Sequence, residues 1–505
     1  MIPTVIITTI VLSIVLHHIT IYFKRAKYKH IPSPAIPISW KWCFGHTFLF
    51  KKVAEENHWN LSETFEAMKR RSGKAAEKSV IFLGFTNRAI LYTTEINIYS
   101  KFLSDHRVFQ KQKPAESLLD YVNGRRILGN KNLLLEPGTD IWYQKRRILD
   151  PAFQKRFLRQ LHAPMNKSAD KLNEYLKNSE SRGKLEIHGA IMRTALEVVC
   201  TCGFNLNEDF LTKGDSPINA AIDNMLVVMQ LYLFNVFNFW APWKFIEEKK
   251  LLKSSVDFLR SFVGDHLRER FEGISRESTD DNEDMLTHII RANISTSLSM
   301  EDVIDDFCVF LVAGMETTAN VLSCLLWECL KNKDITHKIT QELDRVHGDQ
   351  TQLQYDDLCQ LTYLEQCIKE CLRLHGPASG TFRVSPSSPI TVDNLFIPPN
   401  TRIFVNIQQA HLSNTNWDNP KKFDPDRFGS DCKVKPFTFL PFSAGPRVCI
   451  GKQFSMLEMK IILAKLFRKL EFFDPFPEET HLDKESALTI RPKHGVFVGI
   501  IERSN

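Results

Sequence analysis

The residue with the clearest chemical potential is Cys449, which lies in a glycine-rich loop. Residues 441–451 read Pro-Phe-Ser-Ala-Gly-Pro-Arg-Val-Cys-Ile-Gly, so that Gly445 and Gly451 flank the cysteine and Arg447 precedes it by two positions. Glycines allow the backbone to turn sharply and to direct its N–H groups at one atom, and a nearby arginine favours an anion. A helix predicted directly after the loop would add its N-terminal dipole. The pattern predicts a thiol with a lowered pKa, although a lone cysteine in such a loop can also be purely structural.

A second polar cluster lies within a long apolar helix. Ser299 and Asp302 have the spacing of a capping box, and a proline-free stretch continues to about Lys331, which as a helix would be roughly 48 Å long. Its middle is apolar, yet Glu316 and Thr317 follow directly. Buried polar groups need partners or a purpose. Either Thr317 bonds back to a helix carbonyl, or the two residues transfer protons.

The whole loop pattern, Phe-x-x-Gly-x-Arg-x-Cys-x-Gly, resembles the haem-binding loop of the cytochrome P450 superfamily. The resemblance covers essentially the whole chain and is closest to the microsomal, animal fatty-acid hydroxylase-like clan, including its insect branches. It implies a mainly α fold with small β-sheets, preceded by one N-terminal transmembrane helix. It also implies haem b (iron protoporphyrin IX) as cofactor, with Cys449 as the proximal iron ligand. Phe442, Gly445, Arg447 and Gly451 would complete the haem-binding loop.

The stretch 313–318, Ala-Gly-Met-Glu-Thr-Thr, resembles the oxygen-binding motif of the same family. By this resemblance Ala313 and Gly314 leave room beside the haem, and the glycine loosens the helix locally. Thr317 would relay protons toward dioxygen, with Glu316 as its acidic partner.

One face of this helix is expected to face the haem. Asp306, Phe310, Ala313 and Thr317 are spaced at i, i+4, i+7 and i+11, so they share that face. The sequence leaves open whether Asp306 forms a covalent ester with the haem, for which its short side chain is unfavourable.

Glu370 and Arg373 form an E-x-x-R pair that resembles the second signature of the family. Arg427 lies in a stretch that resembles the family's meander motif, and it would close a buried network with them. Removing one partner from such a network is costly. The resemblance assigns these three residues to folding and to support of the haem loop.

The haem carries two propionates, and arginine is well suited to bind carboxylates. Trp142 and Arg146 resemble the family's W-x-x-x-R motif, in which both side chains reach a propionate. Arg383 and Arg447 occupy matching positions downstream. All four are therefore candidates for binding the propionates.

A basic stretch surrounds Arg146 and consists of Lys145, Arg147, Lys155, Arg156 and Arg159. It is either a solvated helix face or a docking site for an acidic electron donor. The chain has no flavin or nicotinamide motif, so electrons must come from another protein. The resemblance indicates NADPH–cytochrome P450 reductase and leaves open a second donor, cytochrome b5.

The first 23 residues are almost entirely apolar or hydroxylic and would form a helix of about 33 Å, enough to cross a bilayer. Basic residues follow at once, which places the remainder in the cytoplasm. We therefore predict a membrane anchor at 1–23, a basic and proline-rich linker at 24–44 and the catalytic domain at 45–505, located at the endoplasmic reticulum membrane. A cleaved signal peptide is the alternative, but its basic residues would come first.

The composition is that of a folded protein, with 43% hydrophobic and 25% charged residues. A net charge of +6 is too weak to suggest nucleic-acid binding. Eleven cysteines without a C-x-x-C pair are typical of a reducing compartment. Short strands are predicted at 80–84, 89–93, 403–405 and 495–501, and a polar surface loop at 275–284.

The function predicted from these features is insertion of one oxygen atom into a hydrophobic substrate. Fatty acids, terpenoid or steroid-like molecules and xenobiotics are all compatible with the sequence. A haem-thiolate isomerase or dehydratase, and a non-enzymatic haem sensor or carrier, are the alternatives. The intact Glu316–Thr317 pair favours the monooxygenase.

Overall fold

Helices dominate the computed structural model, and small β-sheets accompany them, as predicted. The residues that the structure describes are 15–16, 19, 22–23, 26–34, 46–57, 60–73, 79–83, 89–111, 132–138, 140–179, 183–213, 216–234, 246–274, 285–294, 298–348, 353–486 and 489–503. Most of the predicted anchor therefore lies outside the described residues, as does the predicted polar loop at 275–284. Val15, Leu16, Ile19, Tyr22 and Phe23 are helical and exposed.

The chain divides into two compact units, of which the smaller comprises Met1–Gln112, Ser379–Ala410 and Ser443–Arg447. Its helices are α1 (Thr47–Glu56), α2 (Leu61–Arg70), α3 (Ile96–Ser104) and the start of α14 (Ile407–Leu412). Its strands are β1 (Ser79–Leu83), β2 (Ala89–Thr93), β4 (Gly380–Val384), β5 (Ile390–Val392), β6 (Leu395–Ile397) and β7 (Arg402–Asn406). Four of them form a sheet in the order β1-β2-β7-β4, in which only β2 and β7 are parallel.

The larger unit comprises Lys113–Ala378, His411–Phe442 and Val448–Asn505. Its helices are α4 (Asp140–Leu149), α5 (Lys155–Gln160), α6 (His162–Lys177), α7 (His188–Phe204), α8 (Pro217–Phe234), α9 (Ile246–Ile274), α10 (Met285–Ile294), α11 (Met300–Lys331), α12 (Lys333–His347), α13 (Thr362–His375) and α15 (Lys452–Lys469). Its strands are β3 (Leu185–Glu186), β8 (Leu470–Phe473), β9 (Lys484–Ser486), β10 (Ile490–Pro492) and β11 (Phe497–Glu502).

Helix α11 begins where the capping box predicted it. The Ser299 hydroxyl accepts a hydrogen bond from the Asp302 N–H at 3.2 Å, and the Asp302 carboxylate accepts one from the Ser299 N–H at 3.1 Å. The helix then runs for 32 residues. Of the described helices it is the one long and apolar enough to cross a membrane. Because most of its residues are buried within the larger unit, α11 is a core helix, and its apolar length is explained by packing.

The predicted strands are confirmed within one or two residues as β1, β2, β7 and β11, and the helix predicted after the Cys449 loop is α15. All the described cysteines are free thiols. Most lie in the cores of α7, α11 and α13, where a thiol packs like a small apolar group.

Candidate active site

The backbone of the cysteine loop is folded around the sulfur atom of Cys449. Its N–H donates to the Phe442 carbonyl at 2.9 Å, which closes the loop. The N–H groups of Gly451 and Lys452, at the start of α15, lie near enough to the sulfur to lower its pKa, and the Lys452 N–H donates to the Cys449 carbonyl at 3.5 Å. Cys449 is exposed between two half-buried neighbours, so that it is accessible to a ligand. The local geometry suits a thiolate that binds a metal on its free side.

The prediction of a lowered thiol pKa is wrong, because the combined effects raise the pKa of Cys449. Burial raises the pKa of Cys449, while the N–H donors of Gly451 and Lys452 and the charge of Arg146 lower it. The prediction omitted desolvation, which disfavours the charged form. Burial therefore opposes a free thiolate in the protein alone, and the positive charge of a bound iron would favour the thiolate.

The two glycines of the loop have different roles. Gly445 has φ +71°, and a side chain there would overlap the Leu103 carbonyl of α3, so the turn requires glycine. Gly451 has an ordinary φ of −78°. A Cβ atom at this position would meet only the Cys449 sulfur, at 3.9 Å. Ser443 also has a positive φ, and its hydroxyl is buried without a partner among the described residues.

Helix α4 carries Trp142 and Arg146 toward the cysteine loop. The Arg146 guanidinium donates to the Val448 carbonyl at 3.0 Å, directly before Cys449, and pairs with Asp150 at 2.5 Å. Trp142 is buried. Arg146 of the predicted W-x-x-x-R pair therefore contacts the cysteine loop, and Trp142 lies buried on the same helix.

In the smaller unit, Arg383 and Arg447 share their surroundings with Lys111, which the sequence analysis did not single out. Arg383 is buried, donates to Thr381 Oγ1 and the Phe382 carbonyl at 2.9 Å each, and has a buried Nε without a partner. Burial lowers its pKa to about 10. Burial and the charges of Arg383 and Arg447 lower the pKa of Lys111 well below its usual value.

This cationic group is a suitable site for an anion. Among the described residues no carboxylate pairs with Arg383 or Lys111, and buried cations require a counter-ion. A haem propionate is an anion of the right kind, and Arg383 retains an unused donor for it. Lys111 was missed because it reaches this place through the bridge between Gln110 and Val384, a pairing across more than 270 residues.

On α11 the oxygen-binding motif is partly open. Ala313 is exposed and Thr317 half-buried in a helix whose other residues are mostly buried, so this side of the turn is accessible. The Thr317 hydroxyl donates to the Ala313 carbonyl at 2.7 Å. Its lone pairs remain able to accept a proton donor such as water.

Glu316 lies on the buried side of the same turn. Neither of its carboxylate oxygens has a partner of full hydrogen-bond geometry among the described residues. Burial raises the pKa of Glu316, although Thr489 and Arg491 partly oppose this. A glutamate in this state keeps its proton to a higher pH than one in water.

Gly314 proves to be a packing residue. Val199 of α7 occupies the space beside Gly314 where a side chain would be. Its Cγ2 atom would be 2.6 Å from a Cβ atom at this position. Helix α11 continues through Gly314 without a break. The close approach of two helices therefore explains the glycine, and its predicted role in leaving room at the haem stays a prediction.

Asp306 does not have the role expected from its helical spacing. It is buried and forms an ion pair with Lys145 at 2.6 Å, and its other oxygen accepts the Leu133 N–H at 2.5 Å. Both oxygens are engaged by protein, which opposes a covalent ester with haem. Lys145 is fully buried, so its predicted place in an exposed docking face is wrong.

The Glu370–Arg373–Arg427 network is present in the larger unit. Glu370 and Arg373 form two hydrogen bonds of 2.7 and 2.8 Å, and Arg427 Nε lies 3.3 Å from Glu370. Arg373 also donates to the carbonyls of His411 and Pro420 at 2.7 Å. All three guanidinium nitrogens of Arg373 donate to a carboxylate or a carbonyl, so the network fixes the segment that contains His411, Pro420 and Lys422, before the cysteine loop.

Comparison with known proteins agrees with this geometry. The cytochrome P450 family model matches residues 34–498. Cytochrome P450 4B1 of Rattus norvegicus is 28% identical over 383 residues, which is 73% of this chain and 74% of that protein. Cytochrome P450 4F11 of Homo sapiens is 28% identical over 390 residues, 73% of each. Cytochrome P450 4d2 of Drosophila melanogaster is 26% identical over 394 residues, 74% of this chain and 77% of that protein. The chain therefore belongs to the cytochrome P450 family of haem-binding monooxygenases.

Proposed function

We propose that the chain is a membrane-anchored microsomal monooxygenase that inserts one oxygen atom of O2 into a hydrophobic substrate. The observation that carries this proposal is the cysteine loop, in which the Cys449 N–H donates to the Phe442 carbonyl at 2.9 Å and Arg146 donates to the Val448 carbonyl at 3.0 Å, so that a cation lies beside the exposed Cys449. A haem bound through a thiolate receives electron density that favours O–O cleavage. Fatty acids, terpenoid or steroid-like molecules and xenobiotics are the substrate classes that we propose.

Two groups of residues would hold the propionates of the haem. Arg383, Arg447 and Lys111 provide one cationic site, supported by the unused Nε of Arg383. Trp142 and Arg146 of α4 would provide the other, supported by the contact of Arg146 with the cysteine loop. Phe442 and the turn at Gly445 would shape the surface next to the sulfur.

Glu316 and Thr317 would deliver protons, with Ala313 and Gly314 at the same turn. Burial raises the pKa of Glu316, which favours its protonated form. The partly exposed Thr317 hydroxyl can accept a water and pass a proton toward the open side of α11.

The protein has no electron source of its own that the sequence shows, so we propose NADPH–cytochrome P450 reductase as donor, with cytochrome b5 as a second candidate. Residues 1–23 would anchor the chain in the endoplasmic reticulum membrane with the domain at 45–505 facing the cytoplasm. Product formation should depend strictly on NADPH, reductase and O2. An isomerase or dehydratase would act on peroxides without them, and a sensor or carrier would form no product.

The thiolate bond is tested by the absorption spectrum of the reduced, carbon monoxide-bound protein. We expect the strongly red-shifted band of a haem with a thiolate ligand, and we expect Cys449→His to abolish it. Cys432→Ser, a change at another exposed cysteine, is the control and should leave the band unchanged. A red-shifted band that survives in Cys449→His would refute the assignment.

A further inference from the structure

The buried ion pair between Lys145 and Asp306 joins two helices of the larger unit. Lys145 Nζ lies 2.6 Å from Asp306 Oδ2 and donates to the Asp302 carbonyl at 2.9 Å. Asp306 Oδ1 accepts the Leu133 N–H at 2.5 Å. Helix α4 and the residues before it are thereby attached to one turn of α11.

Burying two charged side chains has a high desolvation cost, which calls for an explanation of this pair. Lys145 has no exposed surface, and a buried ammonium or carboxylate without its partner is strongly destabilising. A well-packed apolar pair would often be as stable, so stability alone does not explain two buried charges. A fixed geometry is what a buried ion pair with additional hydrogen bonds can provide.

The neighbouring residue on α4 shows what this geometry could fix. Successive residues of a helix point about 100° apart, so Lys145 is directed at α11 while Arg146 is directed elsewhere. Arg146 donates to the Val448 carbonyl at 3.0 Å, and the next residue is Cys449. A shift or rotation of α4 would move the Arg146 guanidinium away from the peptide that carries the sulfur.

We propose that Lys145 is a positioning residue for the cysteine loop. Its ion pair with Asp306 holds α4 in place, so that Arg146 stays hydrogen-bonded to the Val448 carbonyl. The Arg146 charge then determines how strongly the Cys449 sulfur donates electrons to the iron. The inference rests on the proposed role of Cys449 as iron ligand. It makes the contact between α4 and α11 a determinant of the iron site.

The test compares the wild-type holoenzyme with the double variant Lys145→Met, Asp306→Leu, which removes both charges and leaves neither alone in the core. Two readouts are made on the purified protein, the one-electron reduction potential of the haem and the iron–sulfur stretching frequency. Because a positive group near the sulfur becomes less well held, we expect a several-fold fall in the equilibrium constant for reduction and a changed stretching frequency.

The control is the matched double variant Arg260→Met, Asp305→Leu. Asp305 is the next residue on α11 and pairs with Arg260 of α9 at 2.5 Å, so this pair joins α11 to a helix that does not carry Arg146. Both readouts should remain at their wild-type values. A third variant, Arg146→Gln, should reproduce the shift seen in the Lys145 and Asp306 double variant.

Each outcome has a distinct meaning. Wild-type values in the Lys145 and Asp306 double variant would overturn the inference, even if its thermal stability had changed. Equal shifts in both double variants would also overturn it, since a general loosening of α11 would then be the cause. Absence of a thiolate spectrum in the wild-type protein itself would refute the proposed function instead.

Discussion

Three carboxyl groups on α11 show how their immediate surroundings determine protonation. Burial raises the pKa of Asp306 to about 6, while Lys145 and the Leu133 N–H oppose the rise. Burial raises the pKa of Glu328 to about 7, against the charge of Lys484. Glu316 has no cation within ion-pair distance among the described residues, and burial raises its pKa as well. Asp306 is thus committed to its ion pair with Lys145 and Glu328 to its contact with His375, whereas Glu316 has no such partner among the described residues and burial favours its protonated form.

Replacement of Thr317 by alanine should keep haem binding and increase the peroxide formed for each NADPH consumed. The reason is that the hydroxyl, which bonds to the Ala313 carbonyl at 2.7 Å, would no longer be present to pass protons. The loss in coupled product should be on the order of 10²-fold, the lower range for general acid catalysis. Thr317→Ser retains the hydroxyl and should stay close to wild type. Unchanged coupling in Thr317→Ala would contradict the relay.

The role of a single residue is predictable from the sequence when a local motif determines it. It is poorly predictable when burial in the folded protein determines it. Cys449 and the Glu370–Arg373–Arg427 network follow from local patterns, and the structure brings the network together. Lys145 was expected on the surface because a lysine is rarely fully buried. Its partner lies 161 residues away, and no local pattern announces such a pair.

Among the helices, the close packing of α11 against α7 can be tested by a substitution. Gly314→Ala should destabilise the protein by about 1–3 kcal/mol, because the new methyl group overlaps Val199. Helix propensity alone would favour alanine by about 1 kcal/mol. Denaturant unfolding followed by the visible spectrum of the haem measures the change.

The same substitution in a Val199→Ala background is the control. With the valine methyl groups removed, Gly314→Ala should become neutral or stabilising, so the two changes should be strongly non-additive. Additive effects would show that the glycine serves something other than this contact.

Helices and strands were predictable to different degrees for physical reasons. The capping box and the absence of proline determine α11 from within its own sequence. The order β1-β2-β7-β4 depends on the pairing of β2 with β7, more than 300 residues apart. The strands were predicted, but the sheet that brings Lys111 to Arg383 was not, because strand pairing is a tertiary property.

At the scale of the whole molecule, the exposed cations of α4 and α5 are the features relevant to an electron donor. Arg147, Lys155, Arg156 and Arg159 are exposed and follow Arg146 in sequence, although Arg159 also pairs with Asp356. An acidic protein would be attracted to such a surface, and the attraction would weaken with salt. The predicted basic docking surface therefore loses Lys145 and keeps these four exposed residues.

Reversal of two of these charges, Lys155→Glu with Arg156→Glu, should slow reductase-driven haem reduction by roughly tenfold at low ionic strength. The difference should shrink as salt is added. Stopped-flow reduction with purified reductase measures the rate. Lys250→Glu with Lys253→Glu on α9 is the matched control, since both lysines are also exposed and the net charge changes by the same amount. An equal effect in the control, or none in the double variant, would exclude this surface.

The ion pair between Lys145 and Asp306 also restricts how related enzymes can diverge. Loss of either residue by itself leaves a lone charge in the interior, a penalty of about 3–5 kcal/mol that is a large part of the stability of a domain. A lineage can therefore leave this arrangement only by changing both positions together or through a polar intermediate. The two sites should covary among descendants, and an enzyme with an apolar residue at one should have lost the charge at the other.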